Sequence, residues 1–437
     1  MGYHGRMNRF FLLFFCLFAS LEASDTVLFL TEKYPEILWL ADANVRKTEE
    51  GQAAGLSHSE QFFGKKFIEF DRTVMTLHCL HLILDGSDEA YELFSQAQPE
   101  EERISRNSFI SLYLEGQAIL KSGWKGLSET ELLQALETAL VLGDIGKSEK
   151  ARELFGPLGI KGPDHDDFNG QVMRTAPDLC PSFACLPQGS KELLIKTANL
   201  AHFGHIFHLE GGPSMFTKLK ESELAYKDPF ALVFELFIQK CDVAGALGHV
   251  NRVSSLAYRE KTHQGYQSVQ RAIFTLSDTS KTEVDAYDVH LSQIAEWLEL
   301  DPNDKIDRVL ARIGAMLRLY TKEKGTILKE AMAQLDNEQS EKIALQLNGE
   351  FLRTPTYVPA FLLNLSQSTS LTEAITIGLP FVAHVFEQHR ASIEQGLFDP
   401  TIPLNFNTMA GIAKTAPYGI AKFHIDDQGN VLPGEKE

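Results

Sequence analysis

The sequence predicts an all-α protein. Apolar residues recur at three- and four-residue spacings over most of the chain, helix-capping signatures punctuate it, and alternating β patterns are scarce. Helical periodicity runs near residues 60–85, 107–121, 129–143, 188–209, 228–246, 264–277, 283–299, 304–320, 325–347 and 370–396. "SETELLQALETAL" opens on a Ser-x-x-Glu box, in which Ser128 caps the helix and Glu131 reaches back. "DPFALVFELF" pairs Asp228 as cap with Pro229 at the first helical position, and Asp301-Pro302 repeats that arrangement. The modest β candidate is "IAKFHIDDQGNVLP", where residues 427–430 turn a terminal hairpin.

The chain has 437 residues, 44% hydrophobic and 23% charged, which suits two folded domains, or one with a large extension, and excludes a disordered chain. Residues 1–23 carry the three parts of a secretory leader. Arg6 and Arg9 precede an apolar run from Phe10 to Phe18, and small residues follow at Ala19, Ser20 and Ala23. That run is about half the ~20 residues a bilayer crossing needs. The expectation is therefore an exported protein, periplasmic or secreted, with no stable membrane span once the leader is removed. Removing Arg6, Arg9 and Glu22 takes away one net positive charge, so the formal charge moves from −18 to −19. Such an acidic surface argues against nucleic acid as a partner.

Four cysteines lie beyond the leader. Cys79 and Cys241 sit in apolar helical stretches and read as buried thiols, whereas "CPSFAC" offers Cys180 and Cys185 for a small disulfide loop. Residues 155–187, rich in Gly, Pro and Asp, read as a long irregular connection between helices. A softer boundary falls at 278–286, which divides the mature chain into 25–280 and a C-terminal helical extension, 281–437.

Histidine and aspartate concentrate at a few places: His58 at a helix start, Asp144 in "ALVLGDIGKS", His165 in "PDHDDF", His202, His205 and His208 in "AHFGHIFH", and Asp242 inside an apolar helix. Neighbours in the His triplet are about 60° apart around a helix and so share one broad face. Asp144 is either a metal ligand or an ordinary helix-ending aspartate before a glycine turn. A carboxylate at a helix C-terminus opposes the helix dipole, which favours a compensating cation or metal. An unpaired carboxylate at Asp242 would be costly to bury, so it needs a metal or a base beside it. A mixed His/carboxylate set suits Mn, Fe, Zn or Mg, which turn bound water into a nucleophile near neutral pH. Lys147, beyond Asp144, reads as a cation for a small phosphorylated substrate or as a favourable charge at a helix end.

The order of these residues resembles the HD-domain superfamily of metal-dependent phosphohydrolases over roughly residues 55–260. "ALVLGDIGKS" is similar to that family's apolar helix ending in His-Asp and followed by Ile/Leu-Gly-Lys, although Gly143 stands where the family has histidine. The resemblance implies an HD-like helical core at 25–280. It implies metal ligation by His58, Asp144, His165, His205 and Asp242, substrate contact by His202, and phosphate binding by Lys147. The function it implies is metal-dependent hydrolysis of a phosphodiester or phosphomonoester. Two other readings use the same residues: a secreted helical interaction or scaffold protein whose core has lost catalysis, and a di-iron, oxygen-dependent site. Residues 281–437 carry no catalytic pattern and read as packing, a lid, or a surface for a protein partner.

Overall fold

The computed structural model describes residues 23–41, 57–162, 165–198, 212–349, 352–353, 355–419 and 422–434. The leader expected at 1–23 falls almost wholly outside the described residues, as do His202, His205 and His208. The fold is all-α, with 22 α-helices and one two-stranded hairpin among the described residues. Among these residues no helix is long and apolar enough to cross a membrane. The chain divides into two units, residues 1–200 with 228–263, and residues 201–227 with 264–437.

The first unit is built around one helix. Its opening segments are α1 (Ala23–Lys33), α2 (His58–Phe63), α3 (Ile68–Asp85), α4 (Asp88–Ser95), α5 (Arg106–Leu120) and α6 (Glu129–Leu142). They continue as α7 (Glu149–Phe155), α8 (His165–Thr175), α9 (Pro181–Ala184) and α10 (Gln188–Thr197). The unit resumes after residue 227 with α13 (Pro229–Gly245). Helix α3 is buried along nearly its whole length, as expected of a helix apolar on all sides, and α4, α5, α6 and α13 pack around it.

Two features fix these helices. The first is a close crossing of α3 and α13. A Cβ on Gly245 would sit 2.5 Å from Thr76 Cα, and one on Gly248, in the turn just past the end of α13, would sit 2.5 Å from the Asp71 carbonyl oxygen. No side chain fits at either place, so glycine sets how near the two backbones come. The second is Glu137, a fully buried carboxylate on α6. It accepts from Tyr34 Oη at 2.5 Å, Lys33 Nζ at 2.9 Å and His81 Nε2 at 3.0 Å. Burial alone would raise its pKa, but His81, Lys33 and Tyr34 outweigh that and hold it at about 2. Glu137 thereby joins α6 to α3 and to the end of α1.

The second unit begins with α11 (Thr217–Ser222) and α12 (Leu224–Lys227) and takes in most of α14 (Glu260–Thr275). It continues through α15 (Glu283–Leu298), α16 (Lys305–Met316), α17 (Lys322–Met332), α18 (Asn337–Asn348) and α19 (Val358–Ser368). The one-turn α20 (Leu371–Glu373), α21 (Leu379–Glu394) and α22 (Asn407–Thr415) complete it. Phe361, Phe381, Phe386 and Phe406 meet in its core. Strands β1 (Phe423–Ile425) and β2 (Val431–Pro433) pair antiparallel where the sequence predicts the hairpin, with Gly429 at φ +83 in its turn.

Local signals hold where capping is self-contained. Ser128 and Glu131 form the expected reciprocal box, and Asp228 accepts from the Ala231 amide. Several expectations need correction. The helix expected at Asp301 begins later, because Asp304 accepts from the Ile306 and Asp307 amides. The periods at 60–85 and 325–347 are each two helices, the first broken by Gly64 at φ +68 and the second by a new cap at Asp336. The stretch 155–187 is not irregular, since it contains α8, which buries Phe168, Val172 and Met173. Cys180 and Cys185 are free thiols at the two ends of α9.

Replacing Gly245 with Val should cost at least about 3 kcal/mol of the first unit's stability, because the branched side chain must displace backbone. Urea unfolding monitored by circular dichroism checks this; a loss below about 1 kcal/mol would mean that the crossing is looser than described.

Candidate functional site

The segment after α6 is short and tightly held. Gly143 ends the helix, Asp144 follows at φ −109 and ψ 0, and Ile145–Lys147 form a single 3-10 turn. Asn169 on α8 clamps this turn from both ends: its Oδ1 accepts from the Gly146 amide at 2.9 Å and its Nδ2 donates to the Gly143 carbonyl at 2.5 Å. Gly146 is required by space, since a Cβ there would lie 2.7 Å from the His165 carbonyl oxygen and 2.8 Å from His165 Cα. Gly143 differs. A Cβ at Gly143 would meet only the Ala139 and Leu140 carbonyls at 3.5 and 3.6 Å, ordinary contact distances.

The clamp presents Asp144, which is 8% exposed, to a cluster of charges from three other segments. Lys147 Nζ lies 2.5 Å from Asp144 Oδ1 and 3.2 Å from Glu69 Oε2. Arg72 Nη1 lies 3.1 Å from the same Glu69 oxygen, so Glu69 bridges the two cations. Asp242, half-buried on α13, completes the group through its charge: Asp144, Glu69 and Asp242 all act to hold Arg72 protonated against the opposing effect of burial. Three carboxylates thus surround two cations inside one unit.

The two aspartates are driven apart in acidity. Burial raises the Asp144 carboxyl, but Lys147, Arg72 and His165 outweigh it and hold the group well below the usual carboxylate range. Asp242 is pushed up to about 6, first by burial and then by the charge of Asp144. Two turns earlier on the same helix, Glu235 is raised to about 7 by burial, with Asp166 and Asp242 adding to the shift. Separated acidities on neighbouring carboxyls are what acid–base chemistry requires, although structural ion networks also produce them.

Of the residues expected from sequence, Asp144, Lys147, Asp242 and His165 converge here. His165, at the start of α8, lies 3.4 Å from Asp166 and adds its charge to Asp144. His58 goes elsewhere. It is buried at the start of α2, where burial, His78 and Arg252 lower its pKa to about 3. Among the described residues no group of three or more His, Cys, Asp or Glu side chains is arranged to hold a metal ion; His202 and His205 lie outside them. Sequence reading missed Glu69, Arg72 and Asn169. The available signal was "IEFDR", three charged residues opening an otherwise apolar helix.

Because the folded state raises the Asp242 pKa above its unfolded value, the folded form binds that proton more tightly, and stability falls as pH rises from about 4 through 6. Asp242→Asn should therefore match the parent near pH 4 and exceed it by roughly 1–2 kcal/mol at pH 7.5. Thermal melts across that range decide the matter; a variant less stable at every pH would contradict this balance of charges.

No curated protein and no solved structure matches the chain. The sequence model of one family matches residues 28–401, which is most of the chain. The chain belongs to that family, described as a family of unknown function, DUF6829.

Proposed function

We propose that the first unit is an HD-like phosphohydrolase core whose charged cluster receives a phosphate ester. The observation that carries this reading is the meeting of Asp144 and Asp242, far apart in sequence, beside Lys147, Arg72 and His165. Lys147 and Arg72 would bind the phosphoryl oxygens. Their side chains are each about a quarter exposed and reachable from solvent. A guanidinium and an ammonium together suit a tetrahedral dianion. A divalent ion, Mn, Fe, Zn or Mg, would displace Lys147 from Asp144 and draw in Asp242 and His165, and would supply a water activated near neutral pH. On this reading the enzyme is exported and meets its substrate outside the cytoplasm, unlike HD-type enzymes that act on intracellular nucleotides.

One observation favours a second reading, a secreted scaffold with a silent core. Lys147 and Arg72 already neutralise Asp144 and Glu69, which is the charge balance a metal would otherwise provide.

Two measurements separate the readings. Metal content of the purified chain, read by mass spectrometry after dialysis against Mn or Zn, should be near one ion per chain and should vanish in Asp242→Ala. Hydrolysis of a generic phosphodiester or phosphomonoester should stop with chelator. The space at Gly143 provides a gain-of-function arm, in which Gly143→His should tighten metal binding at least tenfold. A metal-free parent, inert in both assays and unchanged by Gly143→His, would establish the scaffold instead.

A further inference from the structure

The crossing that builds the first unit also aligns two thiols that no reading above uses. Gly245 lies against Thr76, and Gly248, three residues later, lies against Met75 and Asp71. Earlier on α13, Phe237 shares the space at Gly116 with Leu84, so as α13 advances from 237 to 245 its contact on α3 moves back from 84 to 76, and the helices run antiparallel. One turn before Gly245 is Cys241; three residues beyond Thr76 is Cys79. The register brings these two positions to the same level of the crossing, on the faces that meet. Each thiol is fully buried and free in this structure. Contacts on either side bracket the pair: Phe237 and Leu84 both lie against Gly116, and Gly245 lies against Thr76.

We propose that Cys79 and Cys241 are a disulfide-forming pair, closed during folding in an oxidising compartment, that ties α3 to α13 across the charged cluster. A disulfide needs Cα atoms about 4.4–6.8 Å apart. Ordinary helix packing, at 8–10 Å between axes, rarely meets that requirement, and the glycine-mediated approach next to these positions shortens the gap. In the oxidation, each cysteine gives up one proton and one electron and a sulfur–sulfur bond forms. A disulfide co-oxidant such as glutathione disulfide takes up both electrons and both protons and leaves as two thiols. Timing is set by burial. It raises the Cys79 pKa and shields both sulfurs, so the finished fold resists attack, and exchange takes place before the helices close. The link spans more than 150 residues of chain and joins the helix of Glu69 and Arg72 to the helix of Asp242.

The test is disulfide mapping of the full chain. Protein refolded from urea in a glutathione redox buffer is alkylated under denaturing conditions, digested and analysed by mass spectrometry, beside a sample refolded in dithiothreitol. The expected result is a single linked peptide joining Cys79 to Cys241, absent under dithiothreitol, with a melting temperature about 5–10 °C above the reduced form. Cys79→Ser should abolish the link and leave Cys241 alkylated. Should refolding fail, the same mapping is applied to native protein held with glutathione disulfide in sub-denaturing urea. Alkylated Cys79 and Cys241 in the oxidised sample, or pairing of either with Cys180 or Cys185, would overturn the proposal.

Discussion

The near contact of α3 with α13 is the constraint on which the first unit depends. Glycine at 245 and 248 lets two backbones approach where any side chain would hold them apart. That single approach decides the neighbours of everything else on the two helices. It brings Arg72 and Glu69 within reach of Asp242, and the turn after α6 presents Asp144 to the same place. The apolar burial of α3 supplies the driving force, since the hydrophobic effect is non-directional and proportional to area. The glycines supply the direction.

Within that frame the charged cluster is a balance, not a store of stability. Buried ion pairs seldom gain more than their desolvation costs, whereas removing one partner leaves an expensive uncompensated charge. Glu69 is shared between Lys147 and Arg72, Asp144 is held by Lys147, and Asp242 carries the residual strain, visible in its raised pKa. Glu137 makes a useful contrast. Its three donors satisfy it fully and its pKa falls to about 2, so it acts as a brace. A carboxylate left under strain beside two reachable cations is a better candidate for chemistry than one that is fully satisfied.

Much of the fold could be read from the sequence because its signals are local. Ser128 with Glu131 and Asp228 with Pro229 need only their own first turns to work. Helix α8 was hidden by composition, because its acidic, glycine-bearing sequence buries one narrow face that the surrounding Pro and Asp obscure. Competing caps misled at residues 301–304, where two aspartates stand three apart and the later one takes the amides of Ile306 and Asp307. The site was half legible. Asp144 and Asp242 stood out as carboxylates in apolar helical settings. Glu69 and Arg72 did not, because charges at a helix start usually face water. Asn169 gave no signal, since its role depends on α8 meeting the turn at Gly146.

The central claim is that Asp144 and Asp242 share one electrostatic environment. Carbon-detected NMR titration of the Asp242 carboxyl, in the parent and in Asp144→Asn, tests it most directly. The account predicts a midpoint near 6 in the parent that moves down toward the usual aspartate range once the Asp144 charge is gone. An Asp242 midpoint that is ordinary in the parent, or the same in both proteins, would contradict it.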